Sequence, residues 1–424
     1  MKNLDKYNLI IINFLFFLFP LSIILGNFFT NLNLLLLSFT AFFFYKKKII
    51  EFKINIFDKI ILIFFIYTFI TLIINLLENY LSGKIFPEII IHKTFFYFRY
   101  YIIYLILRVL VSEKILRLDW FSLACAICAS FICLDIIFQF FIGKNIFGLT
   151  PSTPRHFSGV FGEELIAGGY LQKFALFSFF LPFVLKKKKI SKIAFQLIFF
   201  IFFMFGIALS GNRMPFALFI FSFFIYFLLN NELRKYSYAL LIVVFLFLSL
   251  NYNLNQNFKM RFDGFYMNGK ILVNSFFVKD IVNNKSLLKR PYVSEFICAK
   301  SAFKENPIFG GGIRFYRNSN QYCNTHPHNY YLEIMVDLGV AGLSIILVFI
   351  FMLLRRIFMQ KIVSFNSNLN SIDDKLMPFF LIFFIEFFPV RTAGSFFSTN
   401  VASIIFVVLA IIVSSLSKKK NYNN

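Results

Sequence analysis

The stretch from Thr325 to Leu343 reads Thr-His-Pro-His-Asn-Tyr-Tyr-Leu-Glu-Ile-Met-Val-Asp-Leu-Gly-Val-Ala-Gly-Leu. Two histidines and an asparagine stand immediately before an apolar run that continues to residue 354. A run of this length is typical of a helix that crosses a bilayer, which needs about 20 apolar residues. The sequence therefore predicts that these polar side chains lie at the start of a membrane-spanning helix.

The rest of the chain has the composition of a membrane protein. Its 424 residues are 59% hydrophobic and 15% charged, and the mean hydropathy is +0.75. A soluble globular protein carries more charge than this. The net charge of +23 comes largely from lysine runs between apolar segments, which are typical of membrane topology and not of nucleic-acid binding. We therefore predict an all-α, polytopic integral membrane protein that does not bind nucleic acid.

About twelve segments are apolar enough to be predicted as transmembrane helices. They cover residues 8–28, 30–45, 57–77, 95–111, 119–142, 165–185, 190–209, 214–230, 236–251, 330–354, 376–390 and 395–416. This count places helices 1–9 in residues 1–251, a large extramembrane loop in 252–329, and helices 10–12 in 330–424.

Lysine and arginine in the short connections predict the orientation. When about twelve spans are threaded alternately, the lysine-rich connections all fall on one side of the membrane. That side is expected to be cytoplasmic, together with both termini. The large loop and all four histidines fall on the opposite, outer face.

Arginine departs from the pattern that lysine follows. Several arginines map to the outer face, three of them in short connections. A cation near the bilayer interior is costly, so such a residue usually faces a cavity and has a partner. The planar guanidinium suits a diphosphate because it donates paired hydrogen bonds. These arginines indicate an anionic, lipid-linked substrate, although each one alone is also compatible with snorkelling to lipid headgroups. The set comprises Arg155, Arg213, Arg261, Arg290, Arg314, Arg317 and Arg391.

His328 is the candidate base, because a neutral imidazole can take a proton from a hydroxyl. It stands just before a predicted helix, with Asn329 beside it as a hydrogen-bonding group. His326 is separated from it by Pro327 and is expected to point elsewhere.

Two glutamates near this region receive different interpretations. Glu386 lies within a predicted span, five residues before Arg391, and is expected to pair with one of the outer arginines. Glu333 falls in the first turns of a helix, where the helix dipole favours an acidic residue and is a sufficient explanation for it.

Metal and nucleotide sites lack support in the sequence. It contains no Asp-x-Asp pattern, phosphate-binding loop or His/Cys ligand set, so neither a metal nor a cofactor is expected. Gly310 to Gly312 fit a tight turn better than a phosphate loop. Cys298 and Cys323 both lie in the large loop and form a candidate disulfide if that loop faces an oxidising compartment.

These residues resemble the bacterial O-antigen ligases and the related O-antigen polymerases. The ligase signature is a histidine followed by Asn, Ser or Gln, then nine residues, then Gly-x-x-Gly/Thr/Tyr. His328-Asn329, the nine residues 330–338 and Gly339-Val340-Ala341-Gly342 fit it completely. The stretches 306–310, 210–213 and 155–162 also look like the family, so the resemblance extends from about residue 150 onward.

The resemblance implies a glycosyltransferase without a metal, in the bacterial inner membrane with a periplasmic active site. Its donor would be a glycan linked to a polyprenyl diphosphate, and its acceptor lipid A-core or another glycan. Arg213 and a loop arginine, Arg290 in the first place, would hold the diphosphate, and His328 would act as the base. The remaining candidates for substrate binding are Arg155, Arg261, Arg314, Arg391, Asn329, His326 and Glu386.

Two alternatives stay open at this point. An O-antigen polymerase would use the same residues to join repeat units on the lipid carrier. A transporter or flippase would move the same lipid-linked glycan without making a glycosidic bond.

Overall fold

The computed structural model describes residues 2–83, 85–151, 156–184, 189–229, 291–319, 326–366, 375–391 and 394–417, with scattered residues between 242 and 271. Four residues singled out by the sequence lie outside the described residues, namely Arg155, Arg261, Arg290 and Cys323. Most of the predicted ninth span, 236–251, also lies outside them.

The described residues form helices and no β-strand, which confirms the all-α class. The first nine α-helices are α1 Lys2–Ile24, α2 Asn27–Ile50, α3 Ile56–Leu81, α4 Glu88–Tyr97, α5 Arg99–Ser112, α6 Leu118–Ile142, α7 Ala167–Val184, α8 Lys189–Leu209 and α9 Arg213–Leu229. From residue 291 onward, the described helices are α10 Pro291–Glu305, α11 Phe315–Ser319, α12 Tyr330–Asn366, α13 Met377–Glu386 and α14 Thr399–Ser417.

Among the described residues, 7 helices are long and apolar enough to cross a membrane, with α4 and α5 counted as one. Three shorter apolar helical segments accompany them, Ile198–Leu209, Arg213–Leu228 and Met377–Glu386. The chain is therefore a multi-pass membrane protein. The fourth span begins earlier than the predicted residue 95, because α4 starts at Glu88 and continues into α5 after a break at Phe98.

Helix α7 forms the centre of one half of the bundle. Nearly all of its residues are buried, and it packs against α6, α8, α9 and α13. In the other half α14 packs against α5, and α3 packs against α12. Aromatic rings fill the space between helices, as where Phe121 of α6 stacks on Phe16 of α1 at 4.3 Å between ring centroids. Offset aromatic pairs of this kind stabilise a core beyond the area that they bury.

One end of the bundle, here called the Asp58 end, is closed by a buried ion pair. Arg108 of α5 donates from Nε and Nη2 to the two carboxylate oxygens of Asp58, at 2.9 and 3.1 Å. Tyr104 Oη donates to the same carboxylate, and Arg108 Nη1 donates to Ser414 Oγ at 2.9 Å. Both charged side chains are buried. The network therefore joins α3, α5 and α14 with equal numbers of positive and negative charges.

Candidate functional site

The opposite end of the bundle, here called the His328 end, is organised around a break in α12. The backbone of Gly339 leaves the helical conformation, with φ 67° and ψ −174°. The segment 306–312 lies against this break and supplies the hydrogen bonds that the helix loses there. Val340 N donates to Pro307 O at 2.9 Å, and Gly312 N donates to Asp337 O at 2.8 Å. The two sequence stretches that resembled the family therefore fold into one unit.

Close backbone contact explains the glycines at this crossing. A Cβ atom on Gly339 would lie 2.1 Å from Ile308 O, and one on Gly310 would lie 2.4 Å from Gly339 N. Both residues also have positive φ, which L side chains rarely adopt. Helix α3 supports the crossing from the other side, since Tyr67 Oη donates to Leu338 O at 3.1 Å and Asn75 Nδ2 to Gly310 O at 2.8 Å. The expected glycine turn is thus also a site of close helix contact.

Asp337 holds the segment that follows the crossing. Its buried carboxylate accepts hydrogen bonds from Arg314 N at 2.8 Å and from Tyr316 N at 3.0 Å. Arg314 has a left-handed backbone with φ 77°, a conformation that is rare for a residue with a side chain. Strained backbone of this kind persists where surrounding contacts fix it. The Asp337 contacts therefore determine where Arg314 and the start of α11 lie.

A small cavity opens beside Asp337, between α11, α12 and the start of α14. Burial and the neighbouring Arg317 lower the pKa of the Arg314 guanidinium from its ordinary value, but a guanidinium stays charged at neutral pH. Two arginines and two carboxylates thus share one polar cavity. Its lining residues are Arg314, Tyr316, Arg317, Glu333, Asp337, Ser395, Phe397 and Ser398.

Glu333 fixes one wall of this cavity. Its carboxylate accepts hydrogen bonds from Ser395 Oγ at 2.5 Å and from Phe396 N at 2.6 Å. These contacts attach the segment before α14 to the first turns of α12. The helix dipole was therefore an insufficient explanation for Glu333, because the carboxylate has specific partners more than 60 residues away.

His328 stands at the entrance to α12 with an unusual backbone and a carboxylate partner. Its φ is 45°, and its Nε2 atom lies 3.6 Å from Oε1 of the buried Glu295 in α10. The ring of His326 contacts the ring of His328, with 4.3 Å between centroids. Burial, with smaller effects of His328 and Arg317, lowers the pKa of His326 to about 4. His326 is therefore neutral at pH 7, and it lies beside His328 instead of pointing elsewhere as predicted.

Asn329 caps α12. Its Oδ1 atom accepts hydrogen bonds from Tyr331 N at 3.0 Å and Leu332 N at 3.2 Å, and its Nδ2 donates to Pro389 O at 2.8 Å. An asparagine in this position satisfies backbone donors that the first helical turn leaves free. Asn329 thereby connects α12 to the segment after α13, and direct substrate binding by its amide stays a prediction.

The expected pairing of Glu386 is confirmed. Arg391 Nη1 lies 2.7 Å from Glu386 Oε2 and donates to Ile385 O at 3.1 Å. Lys173 Nζ of α7 lies 3.3 Å from Glu386 Oε1, and Tyr330 Oη donates to Glu386 Oε2 at 3.0 Å. Burial disfavours charge on Arg391, but Glu386 raises its pKa. Two buried cationic side chains therefore face one carboxylate, and substrate binding by Arg391 and Glu386 stays a prediction.

Arg213 is exposed at the first residue of α9. The turn before it is fixed by Asn212 Nδ2, which donates to Leu165 O at 2.8 Å. The start of α7 lies beside this turn, since a Cβ atom on Gly168 would lie 2.4 Å from Ser210 Oγ. Lys173, less than two turns further along α7, lies 3.3 Å from Glu386 Oε1. Arg213 thus lies at the same end of the bundle as Glu386 and Arg391, with its guanidinium available to a ligand.

The part of the chain that contains Arg213, the large loop and the break in α12 matches a known family. Residues 197–347 match the O-antigen ligase family model. This segment is therefore similar to the O-antigen ligases. The resemblance to the O-antigen ligases and polymerases, drawn from His328 to Gly342, is therefore confirmed. A search of curated proteins found no match.

The matched segment contains Arg213, both histidines of the His328 end and the part of α12 that includes the break at Gly339. It supports a membrane glycosyltransferase of the ligase or polymerase type. The residues Lys173, Glu386 and Arg391, and the cavity residues from Ser395 onward, lie outside the matched range. The candidate site is therefore formed by residues of the matched segment together with residues of α7 and of the elements that follow α12.

Sequence reasoning missed several residues of this site. Glu295 lies in the large loop without a motif around it, and Lys173 stands alone in an apolar helix. The one available signal was that Lys173 is a charged residue within a predicted span, which usually indicates a buried partner. Cys298, three residues after Glu295, is disulfide-bonded. Among the described residues, no group of three or more His, Cys, Asp or Glu side chains is placed to hold a metal.

Proposed function

We propose that this protein transfers a glycan from a polyprenyl diphosphate carrier to an acceptor hydroxyl, as an O-antigen ligase does. The acceptor would be lipid A-core or a similar glycolipid, and the reaction would take place at the periplasmic face of the bacterial inner membrane, with both termini cytoplasmic. One observation carries the proposal. Within the family segment, the signature from His328 to Gly342 folds against 306–312 and brings His328 to the same end as the arginine-lined cavity.

The charges at this end suit a diphosphate. Arg213 is exposed, and Arg314 and Arg317 line the cavity. A guanidinium can donate two parallel hydrogen bonds to a phosphate, and its charge persists in a partly buried setting. We assign the diphosphate to Arg213 together with arginines of the large loop, among which Arg290 remains a candidate. Arg155 and Arg261 also remain candidates for contacts with the carrier or its glycan.

The proposed reaction is a single displacement with inversion at the anomeric carbon. His328 accepts the proton of an acceptor hydroxyl while that oxygen forms a bond to the anomeric carbon. The bond between this carbon and the diphosphate oxygen breaks, and the electron pair leaves with the diphosphate. The arginines stabilise the negative charge that develops on the leaving group. The imidazolium then releases its proton to the diphosphate or to water.

The test is to replace residues in a strain that lacks the chromosomal copy and to analyse its surface glycan. His328→Ala and Arg213→Ala are expected to reduce transfer by about 100-fold or more, which is the usual effect of losing a general base or a charge-stabilising group. Protein levels in the membrane must be unchanged. Normal long-chain glycan in either variant would contradict the role assigned to the replaced residue. His326→Ala serves as the matched variant for the neighbouring imidazole.

The same strain separates the proposal from its alternatives. Loss of all long chains from lipid A-core indicates a ligase, whereas a core that carries a single repeat unit indicates a polymerase. Reconstitution with the lipid-linked glycan and an acceptor addresses transport. A flippase would move the lipid across the bilayer without forming a new glycosidic bond.

A further inference from the structure

Glu295 is a buried carboxylate on α10. This helix lies within the large loop and packs against α12. Its Oε1 atom is 3.6 Å from Nε2 of His328. Its side chain is 3% exposed, whereas that of His328 is 40% exposed. Burying a carboxylate is unfavourable unless a charged or hydrogen-bonding group compensates for the lost solvation. His328 is one such group, so the two side chains stabilise each other when the imidazole is protonated.

Helix α10 is held firmly against α12, which fixes the position of Glu295. Cys298 and Ala302 of α10 form a small apolar cluster with Tyr316 of α11 and Val336 of α12. Tyr316 Oη donates to the backbone carbonyl of Glu295 at 3.3 Å. Cys298, one helical turn further along, is disulfide-bonded. The carboxylate therefore approaches His328 from a packed helix and not from a free loop.

The imidazole of His328 is also constrained from other directions. Its backbone adopts φ 45°, and the ring of His326 packs on it. A contact of 3.6 Å is an ion-pair distance and is longer than a hydrogen bond. Contacts between catalytic groups are often long in the absence of substrate and shorten when it binds. The observed arrangement thus resembles a base and its orienting carboxylate before the substrate arrives.

We propose that Glu295 is the positioning residue of His328, holding the imidazole with its Nε2 proton toward the carboxylate and Nδ1 toward the acceptor hydroxyl. This inference rests on the proposed function, in which His328 is the base. A carboxylate that faces Nε2 favours the tautomer with the proton on that nitrogen. When Nδ1 takes the acceptor proton during transfer, the ring becomes positively charged beside Glu295. The carboxylate therefore stabilises the charge that forms in the transition state and does not touch the substrate.

The experiment compares purified variants in a transfer assay. The donor is the polyprenyl diphosphate-linked glycan that accumulates in a strain lacking this protein, and the acceptor is lipid A-core from the same strain. Glu295→Gln keeps the shape of the side chain and removes its charge. We expect it to lower kcat by about 10-fold or more while KM for both substrates changes by less than about 2-fold. Glu295→Asp, which keeps the charge, is expected to retain more activity than Glu295→Gln.

The matched control is Glu305→Gln, which removes an exposed carboxylate from the last residue of the same helix. Its kcat is expected to equal that of the wild type. A double-mutant cycle then tests whether Glu295 acts through His328. In a His328→Ala background, Glu295→Gln is expected to reduce the residual rate by less than about 2-fold, because the group that it positions is gone.

The outcomes separate this inference from the proposed function. If His328→Ala is impaired but Glu295→Gln behaves like Glu305→Gln, His328 remains the base and the positioning role is wrong. An equal loss from Glu295→Gln in both backgrounds also overturns it, since the carboxylate would then act independently of His328. Full activity of His328→Ala would overturn the proposed function itself. If Glu295→Gln fails to accumulate in membranes, Glu295→Asp is compared with Glu305→Gln instead. A lower kcat for Glu295→Asp is then expected, and equal kcat values would contradict the proposal.

Discussion

The two ends of the bundle both contain a buried carboxylate paired with arginine, but they differ in charge balance. At the Asp58 end one arginine meets one carboxylate, and Tyr104 and Ser414 complete the hydrogen bonds. At the His328 end Lys173 and Arg391 share the single carboxylate of Glu386. The first network is closed and balanced, as expected of a structural junction. The second has an additional cation and lies near an open polar cavity, as expected of a site that receives an anion.

Removal of Asp58 gives the largest expected loss of stability. Asp58→Ala leaves Arg108 buried without its carboxylate, and breaking a buried pair in this way costs about 3–5 kcal/mol. The unfolding midpoint of the purified protein in detergent measures the effect. Lys48→Ala is the control, because Lys48 and Glu113 form an exposed pair at 3.1 Å that contributes less than about 1 kcal/mol. Equal shifts for the two variants would show that the Asp58 network is not a structural junction.

The His328 end is expected to respond asymmetrically. Glu386→Gln leaves two buried cations without a counter-charge and should cost about 3 kcal/mol. Lys173→Met removes the additional cation and keeps the pair of Glu386 and Arg391, so its effect on the unfolding midpoint should be close to zero. A large loss in Lys173→Met would mean that the lysine is required for stability, and the contrast between the two ends would disappear.

The sequence predicts one of these pairs and not the other for a physical reason. Glu386 and Arg391 are five residues apart, and an acidic residue within an apolar span needs a nearby cation. Asp58 and Arg108 are 50 residues apart, and each stands near the end of a helix where charged residues are common. Only the packing of α3 against α5 brings them together. An ion pair is therefore predictable from sequence when both charged residues lie close together within or beside one apolar span. A pair between distant residues, such as Asp58 and Arg108, is not.

The same distinction holds within the candidate site. The spacing from His328 to Gly342 was sufficient to suggest the family, because a signature is local in sequence. The break at Gly339 was not predicted, because the apolar run continues through it and the partner segment 306–312 lies in another part of the chain. Glu295 was missed for a similar reason. Nothing in α10 distinguishes it from the other charged residues of a polar loop until α10 packs against α12.

A substitution at Gly339, where α12 crosses the segment 306–312, is expected to have an intermediate effect on the free energy of unfolding. Gly339→Ala places a methyl group 2.1 Å from Ile308 O in a backbone with φ 67° and ψ −174°. Nearly only glycine adopts this combination, so backbone strain and overpacking together should cost about 2–3 kcal/mol. Transfer activity should fall as well, since the crossing positions Arg314. Gly169→Ala is the control, because nothing lies within 4 Å of the added atom. A similar unfolding midpoint for both variants would contradict the close contact at the crossing.

The smallest expected effect concerns His326 and pH. Burial lowers its pKa to about 4 from an ordinary value of 6.5, so the folded protein favours the neutral ring. The resulting stability is present above about pH 6.5 and is lost as the pH falls towards 4, because the unfolded chain takes up the proton first. The unfolding midpoint of the wild type should therefore decrease between pH 7 and pH 5 more than that of His326→Gln. Replacement of the exposed His92 by glutamine should leave the wild-type dependence intact. If His326→Gln shows the same decrease as the wild type, the acid sensitivity belongs to other groups, and the ring of His326 is not held neutral by its burial beside His328 and Arg317.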